Sequence, residues 1–395
     1  MIDSYDLQQL HADMRAWRQH IHQHPETAYE EVETARFVAE KLKEFGLAVH
    51  RGLGKTGVVA TLSSGDSPRK IALRADMDAL FIEEKNTFSY KSEHHGKMHA
   101  CGHDGHTAML LGAAKLLAEK PNFNGTVVFI FQPAEEGRAG ARQMIEDGLF
   151  EQFPVEQVFG MHNFPDIPVG HFAVRPGPMM ASFDCFEIRV KGRATHAAMP
   201  HLGADAVVAA AQIVNALQTI VSRTIDPADS AVVSITQIHA GNAWNAIPEE
   251  AVIRGTFRCF KSSVQQIIGE KIRQIVEGVC TGLGVAAEIA FNPENPGYPV
   301  AFNSEAETAV AVKVAIAVAG AEGVNLQPTP CMGSEDFAFM LQQKPGCYIW
   351  IGNGASHNSC LLHNPHYDFN DQILPIGVAY WIRLVESVLR DEIVF

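Results

Sequence analysis

The sequence predicts an α/β protein: a mostly parallel sheet with helices on both faces, interrupted by an inserted α+β domain with two helices and an antiparallel sheet. Three observations predict it. Apolar strand-like runs alternate with helical patterns over the first 175 or so residues, the order that builds parallel sheets. Near Arg175-Pro176-Gly177-Pro178 the order changes to strands in succession with two helices among them. After Asn292-Pro293-Glu294-Asn295-Pro296-Gly297 the helix and strand alternation resumes. Both junctions are rich in Pro and Gly, as linkers often are. The expected division is therefore residues 1–180 with 294–395, and an inserted domain over 181–293.

The elements follow in order. Residues 6–45 read as two helices broken at His24-Pro25. Strand-like runs follow at Gly57–Leu62 and Lys70–Ala75. A helix is expected over 104–119, with apolar residues at 109, 110, 113, 116 and 117. Gly125–Phe131, Gln157–Met161 and Gly170–Val174 read as strands. The insert reads as a strand from Phe183, a helix over 204–221, strands at 231–239 and 252–260, a helix over 263–281 and a strand at 286–291. A helix near 304–319, a short helix Glu335–Gln343, a strand Cys347–Ile351 and a helix near 372–390 complete the chain.

Composition narrows the function. A net charge of -14 with no basic run argues against a nucleic-acid partner. No apolar stretch of about 18 residues suggests a membrane span. Met1-Ile2-Asp3-Ser4 does not read as the start of a secretory signal. Seven irregularly spaced cysteines do not form a disulfide framework, so a cytoplasmic setting is expected.

Polar clusters carry the chemistry. His99-Ala100-Cys101-Gly102-His103-Asp104-Gly105-His106 puts a thiol, three imidazoles and a carboxylate into a turn that opens a helix. Cys and His two residues apart are good divalent-metal ligands. Arg74-Ala75-Asp76-Met77-Asp78, Gln132-Pro133-Ala134-Glu135-Glu136 and Met161-His162-Asn163 each close a strand, and His363-Asn364-Pro365-His366 follows another. Ligands in open α/β sheets bind beyond the carboxyl ends of strands, and these clusters share that edge. Taken singly, Asp78 reads as a loop residue, Glu135-Glu136 as solvated surface and His162 as a core histidine. Together they read as a metal site. Gly54-Lys55-Thr56 is no phosphate loop, since Val49 replaces its first glycine and a strand follows. Neither G-x-S-x-G nor H-E-x-x-H occurs. His20, His22 and His24 read as structural, and Asp104 as a helix-start cap.

The strings Ala75-Asp76-Met77-Asp78-Ala79-Leu80, His99-Ala100-Cys101-Gly102-His103-Asp104, Gln132-Pro133-Ala134-Glu135-Glu136-Gly137, Met161-His162-Asn163 and Leu362-His363-Asn364-Pro365 resemble those of the M20 metallopeptidases. The nearest branch is the amidohydrolases of N-acyl amino acids, of hippurate and auxin-conjugate type. The resemblance starts at His22-Gln23-His24-Pro25-Glu26 and runs nearly end to end. Phe81 departs from it, standing where the branch usually has proline, which bears on substrate preference.

The resemblance implies two divalent metal ions per subunit. Cys101 takes the bridging position, and His103, Glu136, His162 and His363 complete the ligand set. Glu135 is the general base and Asp78 supports a ligand. A thiolate with imidazoles suits zinc, with manganese or cobalt as other candidates. In the insert, Gly192-Arg193-Ala194-Thr195-His196, Asn245-Ala246-Ile247-Pro248 and Gly255-Thr256-Phe257-Arg258 resemble the family's lid motifs. There His196 helps polarise the scissile carbonyl, sometimes from the partner subunit, while Asn245 and Arg258 hold the substrate carboxylate. Gly333 lines the same cleft. The implied activity is amide hydrolysis of N-acyl amino acids by a homodimer joined through the lid. Alternatives are an M20-type dipeptidase or carboxypeptidase, or a non-catalytic metal-binding protein. The presence of Glu135 speaks against the last.

Overall fold

The computed structural model describes residues 4–354 and 360–390, so Met1–Asp3 of the N-terminal reading lie outside the described residues. The chain divides into two compact units. One comprises Met1–Met179, Phe302–Thr329 and Asp336–Phe395; the other comprises Met180–Ala301 with Pro330–Glu335. The insert therefore ends at Ala301 rather than 293, because Tyr298 pairs with Phe183 and is buried with the inserted unit. Pro330–Glu335 also returns to it, where Ala181 donates its N–H to the carbonyls of Cys331 and Gly333.

The first unit starts with helices α1 (Ser4–Gln23) and α2 (Val32–Glu44). Strands β1 (Ala48–Leu53), β2 (Gly57–Ser64) and β3 (Lys70–Asp76) follow, then α3 (His103–Glu119), β4 (Gly125–Gln132) and β5 (Gln157–Pro165). The sheet is mixed. β1, β2 and β4 run antiparallel to one another in that order. Its centre is parallel: β4 pairs β3, β3 pairs β5, and β5 pairs the strand Gly346–Gly354. The central strands are buried along nearly their whole length, as two covered faces require. α3 is buried on almost every side, so its sequence shows little amphipathic contrast.

Two expectations change. Gly170–Val174 shrinks to the pair Phe172–Ala173, antiparallel to Gly346–Gly354. The helix near 335 spans Ala338–Gln343, because Asp336 is turned into the buried polar interior of the sheet edge.

The inserted unit is a four-stranded antiparallel sheet in the order Ala231–Ala240, Glu250–Cys259, Asp184–Lys191, Ala286–Phe291. Helices Ala206–Leu217 and Ser262–Leu283 pack on it through Ala209, Ile213, Ile268, Ile272 and Val276. This is the expected two-helix α+β arrangement.

Two segments, Ala206–Thr224 and Asp371–Leu389, are long and apolar enough by composition for a membrane span, contrary to the sequence reading. Their packing explains the composition. Ala209, Ile213 and Leu217 enter the core of the inserted unit, while Leu374, Val378, Trp381 and Val385 enter that of the first.

Candidate metal centre

All five polar clusters of the first unit gather at the carboxyl ends of the parallel strands. Asp76 ends β3, Gln132 ends β4 and His162 lies in the last part of β5, which runs on to Pro165. The turn before α3 brings Cys101 and His103 to the same edge. It depends on Gly102, whose φ of 93° lies in the left-handed region. A β-carbon there would also collide with the Asn163 side chain. His363 donates its backbone N–H to Ala100 O at 2.8 Å, which fastens its loop to the Cys101 turn.

The sequence-predicted ligands come together. Candidate ligand atoms of Cys101, Glu136 and His363 lie within 4.8 Å of one another, as do those of His103, Glu135 and Glu136. Cys101 Sγ is 3.4 Å from His162 Nε2, and His363 Nε2 is 3.2 Å from Glu136 Oε1.

Hydrogen bonds fix which nitrogens face the centre. His162 Nδ1 is 2.5 Å from the carbonyl of Asn163, so Nδ1 carries the proton and Nε2 presents its lone pair beside Cys101. His103 Nδ1 bonds Asp78 Oδ1 at 3.2 Å, and its buried Nε2 has no hydrogen-bond partner. A histidine anchored by one nitrogen to a carbonyl or carboxylate, with the other left bare, is the pattern of a metal ligand. Asp78 serves both sides of the centre, since its Oδ2 accepts the Glu136 N–H at 2.9 Å.

The electrostatics agree. Burial opposes charge on His103, but Asp76, Asp78 and Glu136 outweigh it and raise the imidazole to about 10. The pocket thus favours positive charge. His162 goes the other way: burial, then His106, holds it well below the usual range and keeps it neutral. A thiol, two lone-pair nitrogens, a further imidazole and a carboxylate fit a late first-row dication.

A tempting fourth histidine ligand is excluded. His106 shares a cluster with Asp76, His103 and His162. However, its Nε2 accepts the Asn163 backbone N–H at 2.9 Å, and its Nδ1 therefore donates to Asp76 Oδ1 at 2.6 Å. Both nitrogens are engaged, and His106 is a brace. Sequence reasoning missed Asp76, His106 and Asn163 in this role. The available signal was His103 and His106 three apart on one helix face, opposite two aspartates that alternate after β3.

Asp104 is not the predicted cap. Gly102 stands at the helix start without a side-chain cap, and Asp104 is fully buried against Arg18 at 2.9 Å and His22 at 2.8 Å. Phe81 is 75% exposed, with the Lys97 ammonium 5.8 Å from its ring centroid.

The inserted unit holds the other predicted residues, but at two places. His196 pairs with Ala246 in a small two-stranded antiparallel ribbon, and Ala197 donates to Asn245 O at 3.0 Å, so His196 and Asn245 are neighbours. Arg258 lies over the Phe183 ring at 4.7 Å and donates to Met332 O at 2.8 Å, beside Gly333. Arg258 is eight residues beyond Glu250 on one strand, about 26 Å at the usual rise, with the two-stranded ribbon past the Glu250 end.

The chain's comparisons with known proteins fit this site. The family model described as Peptidase family M20/M25/M40 matches residues 72–387. A hippurate hydrolase of Campylobacter jejuni is 43% identical over 98% of this chain and 99% of its own length. An N-acetylcysteine deacetylase of Bacillus subtilis is 39% identical over 96% and 98%. A crystal structure of a dinuclear metal-binding M20 peptidase from Bacillus subtilis superposes with a TM-score of 0.83 at 36% identity, covering 97% of this chain and 99% of the other. With its ligand residues converging where the sequence motifs fall, and with relatives matched along their full length, the chain belongs to the M20 peptidase family.

Proposed function

We propose that this protein hydrolyses the amide bond of N-acyl amino acids, releasing a carboxylic acid and a free amino acid. One observation carries the reading: His103 Nε2, His162 Nε2, Cys101, Glu136 and His363 converge beside a second glutamate, Glu135. The five converging residues would hold two divalent ions, zinc by donor chemistry, with manganese and cobalt as alternatives. Such ions, when bound, polarise a carbonyl and lower the pKa of water. Glu135 is the general base. It takes a proton from the attacking water as oxygen bonds to the carbonyl carbon, and returns one to the nitrogen as the C–N bond breaks. Asp78 keeps His103 and Glu136 aimed at the centre. Arg258, beside Gly333, pairs with the substrate carboxylate, helped by Asn245, and His196 polarises the carbonyl oxygen.

His196 and Asn245 lie far along the inserted sheet from Arg258, which favours a homodimer in which the partner subunit supplies the two-stranded ribbon. The edge strand Ala231–Ala240, largely exposed over its second half, offers a surface for that pairing. The seven irregularly spaced cysteines favour a cytoplasmic setting.

The test compares wild type with Glu135→Ala on N-benzoylglycine, N-acetylcysteine, an indoleacetyl amino acid and a dipeptide, with zinc, manganese or cobalt supplied. The variant should keep its metal and lose about 10²–10⁴-fold in kcat. Equal activity would overturn the mechanism, and preference for the dipeptide would favour the peptidase reading.

A further inference from the structure

Glu135 and Glu136 stand on a ribbon whose backbone is held from below. Ala134 has φ 55° and Ala139 φ 52°, both in the left-handed region that side chains with a β-carbon rarely adopt. Three buried carboxylates reach this ribbon. Asp78 accepts the Glu136 N–H, Asp336 accepts the Ala141 N–H at 2.9 Å, and Glu31 accepts the Ala134 N–H at 2.8 Å. Asp78 also holds a ligand, and Asp336 also pairs with Arg74 at 3.1 Å. Glu31 has no such second role. It lies at the start of α2, is fully buried, and its other oxygen accepts the Thr56 hydroxyl at 2.6 Å.

We infer that Glu31 is a positioning residue for catalysis: by clamping Ala134 in its left-handed conformation, it sets the direction in which Glu135 leaves the sheet edge. The inference rests on Glu135 being the base. The N–H that Glu31 holds immediately precedes Glu135, whereas Glu136 is held separately by Asp78. Loss of Glu31 therefore disturbs the base and spares the ligands. The carboxyl matters here as an acceptor at a fixed reach. Either protonation form leaves an oxygen for the Ala134 N–H, and the Thr56 hydroxyl can turn to donate or accept. Glutamine can therefore do the same work, whereas aspartate keeps the charge but falls one methylene short.

The experiment measures kcat, KM and metal content for Glu31→Gln, Glu31→Asp and Glu31→Ala on N-benzoylglycine, with Glu135→Ala alongside. Glu31→Gln should stay within about threefold of wild type. Glu31→Asp and Glu31→Ala should lose about 100-fold in kcat, as an ångström-scale misplacement of a catalytic group does. KM and metal content should remain unchanged. Glu31→Asp matching or exceeding Glu31→Gln would overturn the inference, because charge and not reach would then be at stake. So would a loss of activity that follows metal content. The Gln and Asp variants decide the matter even if Glu31→Ala does not fold. An inactive Glu135→Ala beside a fully active Glu31→Asp would sink this inference alone; an active Glu135→Ala would sink the assignment of the base.

Discussion

Asp78 shows how one side chain can govern a centre without binding to it. Its two oxygens hold His103 Nδ1 and the Glu136 N–H. Asp78→Ala should weaken metal binding about 10–100-fold, as loss of an outer partner does, measured by competition with a chelator. Cys101→Ser should change metal preference, because a hydroxyl is a harder donor than a thiolate. Unchanged metal content by elemental analysis would count against Cys101 as a ligand. Legibility at this scale followed chemistry. That Cys101, His103, Glu135, Glu136, His162 and His363 would gather was readable, because their clusters fall at strand ends or in turns along one sheet edge. The bracing role of His106 was not readable, because its partners Asp76 and Asn163 come from two different strands. Glu31 was invisible for the same reason: nothing in Tyr29-Glu30-Glu31 announces that one carboxylate points out to solvent and the next points inward.

The helices matter because the site rests on them. α3 begins at His103, and its next residue, Asp104, is locked to α1 through Arg18 and His22, all buried. His22 also reaches Glu84 at 3.2 Å, and Arg18 continues to Asp368. The reading of His22 as structural holds, and the polar network explains why its neighbours His20 and His24 face elsewhere. Breaking a buried ion pair from one side costs about 3–5 kcal/mol, so Arg18→Ala should be strongly destabilised in denaturant melts. His22 gives a pH signature. Burial opposes its charge, but Asp104 and Glu84 prevail and raise its pKa above the ordinary 6.5. The folded state thus binds the proton more tightly than the unfolded chain. The stability this adds is complete below about pH 6.5 and fades as pH rises through the higher folded value. Wild type should exceed His22→Gln in Tm most clearly near pH 6, with the gap narrowing toward alkaline pH. A gap that widens with pH would contradict the assigned charge.

The whole molecule carries a question that the single chain poses but does not answer. The division into a sheet-based unit and an inserted α+β unit was legible from the Pro/Gly junctions, while the return of Pro330–Glu335 to the insert was not, since six residues carry no periodic signal. In the insert, Arg258 belongs to one end of a long strand and His196 with Asn245 to a two-stranded ribbon beyond the other. A hippurate-sized substrate is much shorter than that separation, so under the proposed function the residues that serve one substrate would come from two copies. This makes a sharp prediction about mixtures. Glu135→Ala and His196→Ala homodimers should each be nearly inactive. In a mixed dimer, the subunit that keeps Glu135 receives His196 of the partner subunit and has a complete site. Random re-association gives half mixed dimers with one such site in two, so unfolding and refolding the two variants together should restore about a quarter of wild-type activity. Refolding each variant alone should restore none. If the mixture stays inactive while size-exclusion chromatography shows dimers, His196 acts within its own chain or not at all, and the dimer proposal loses its catalytic rationale.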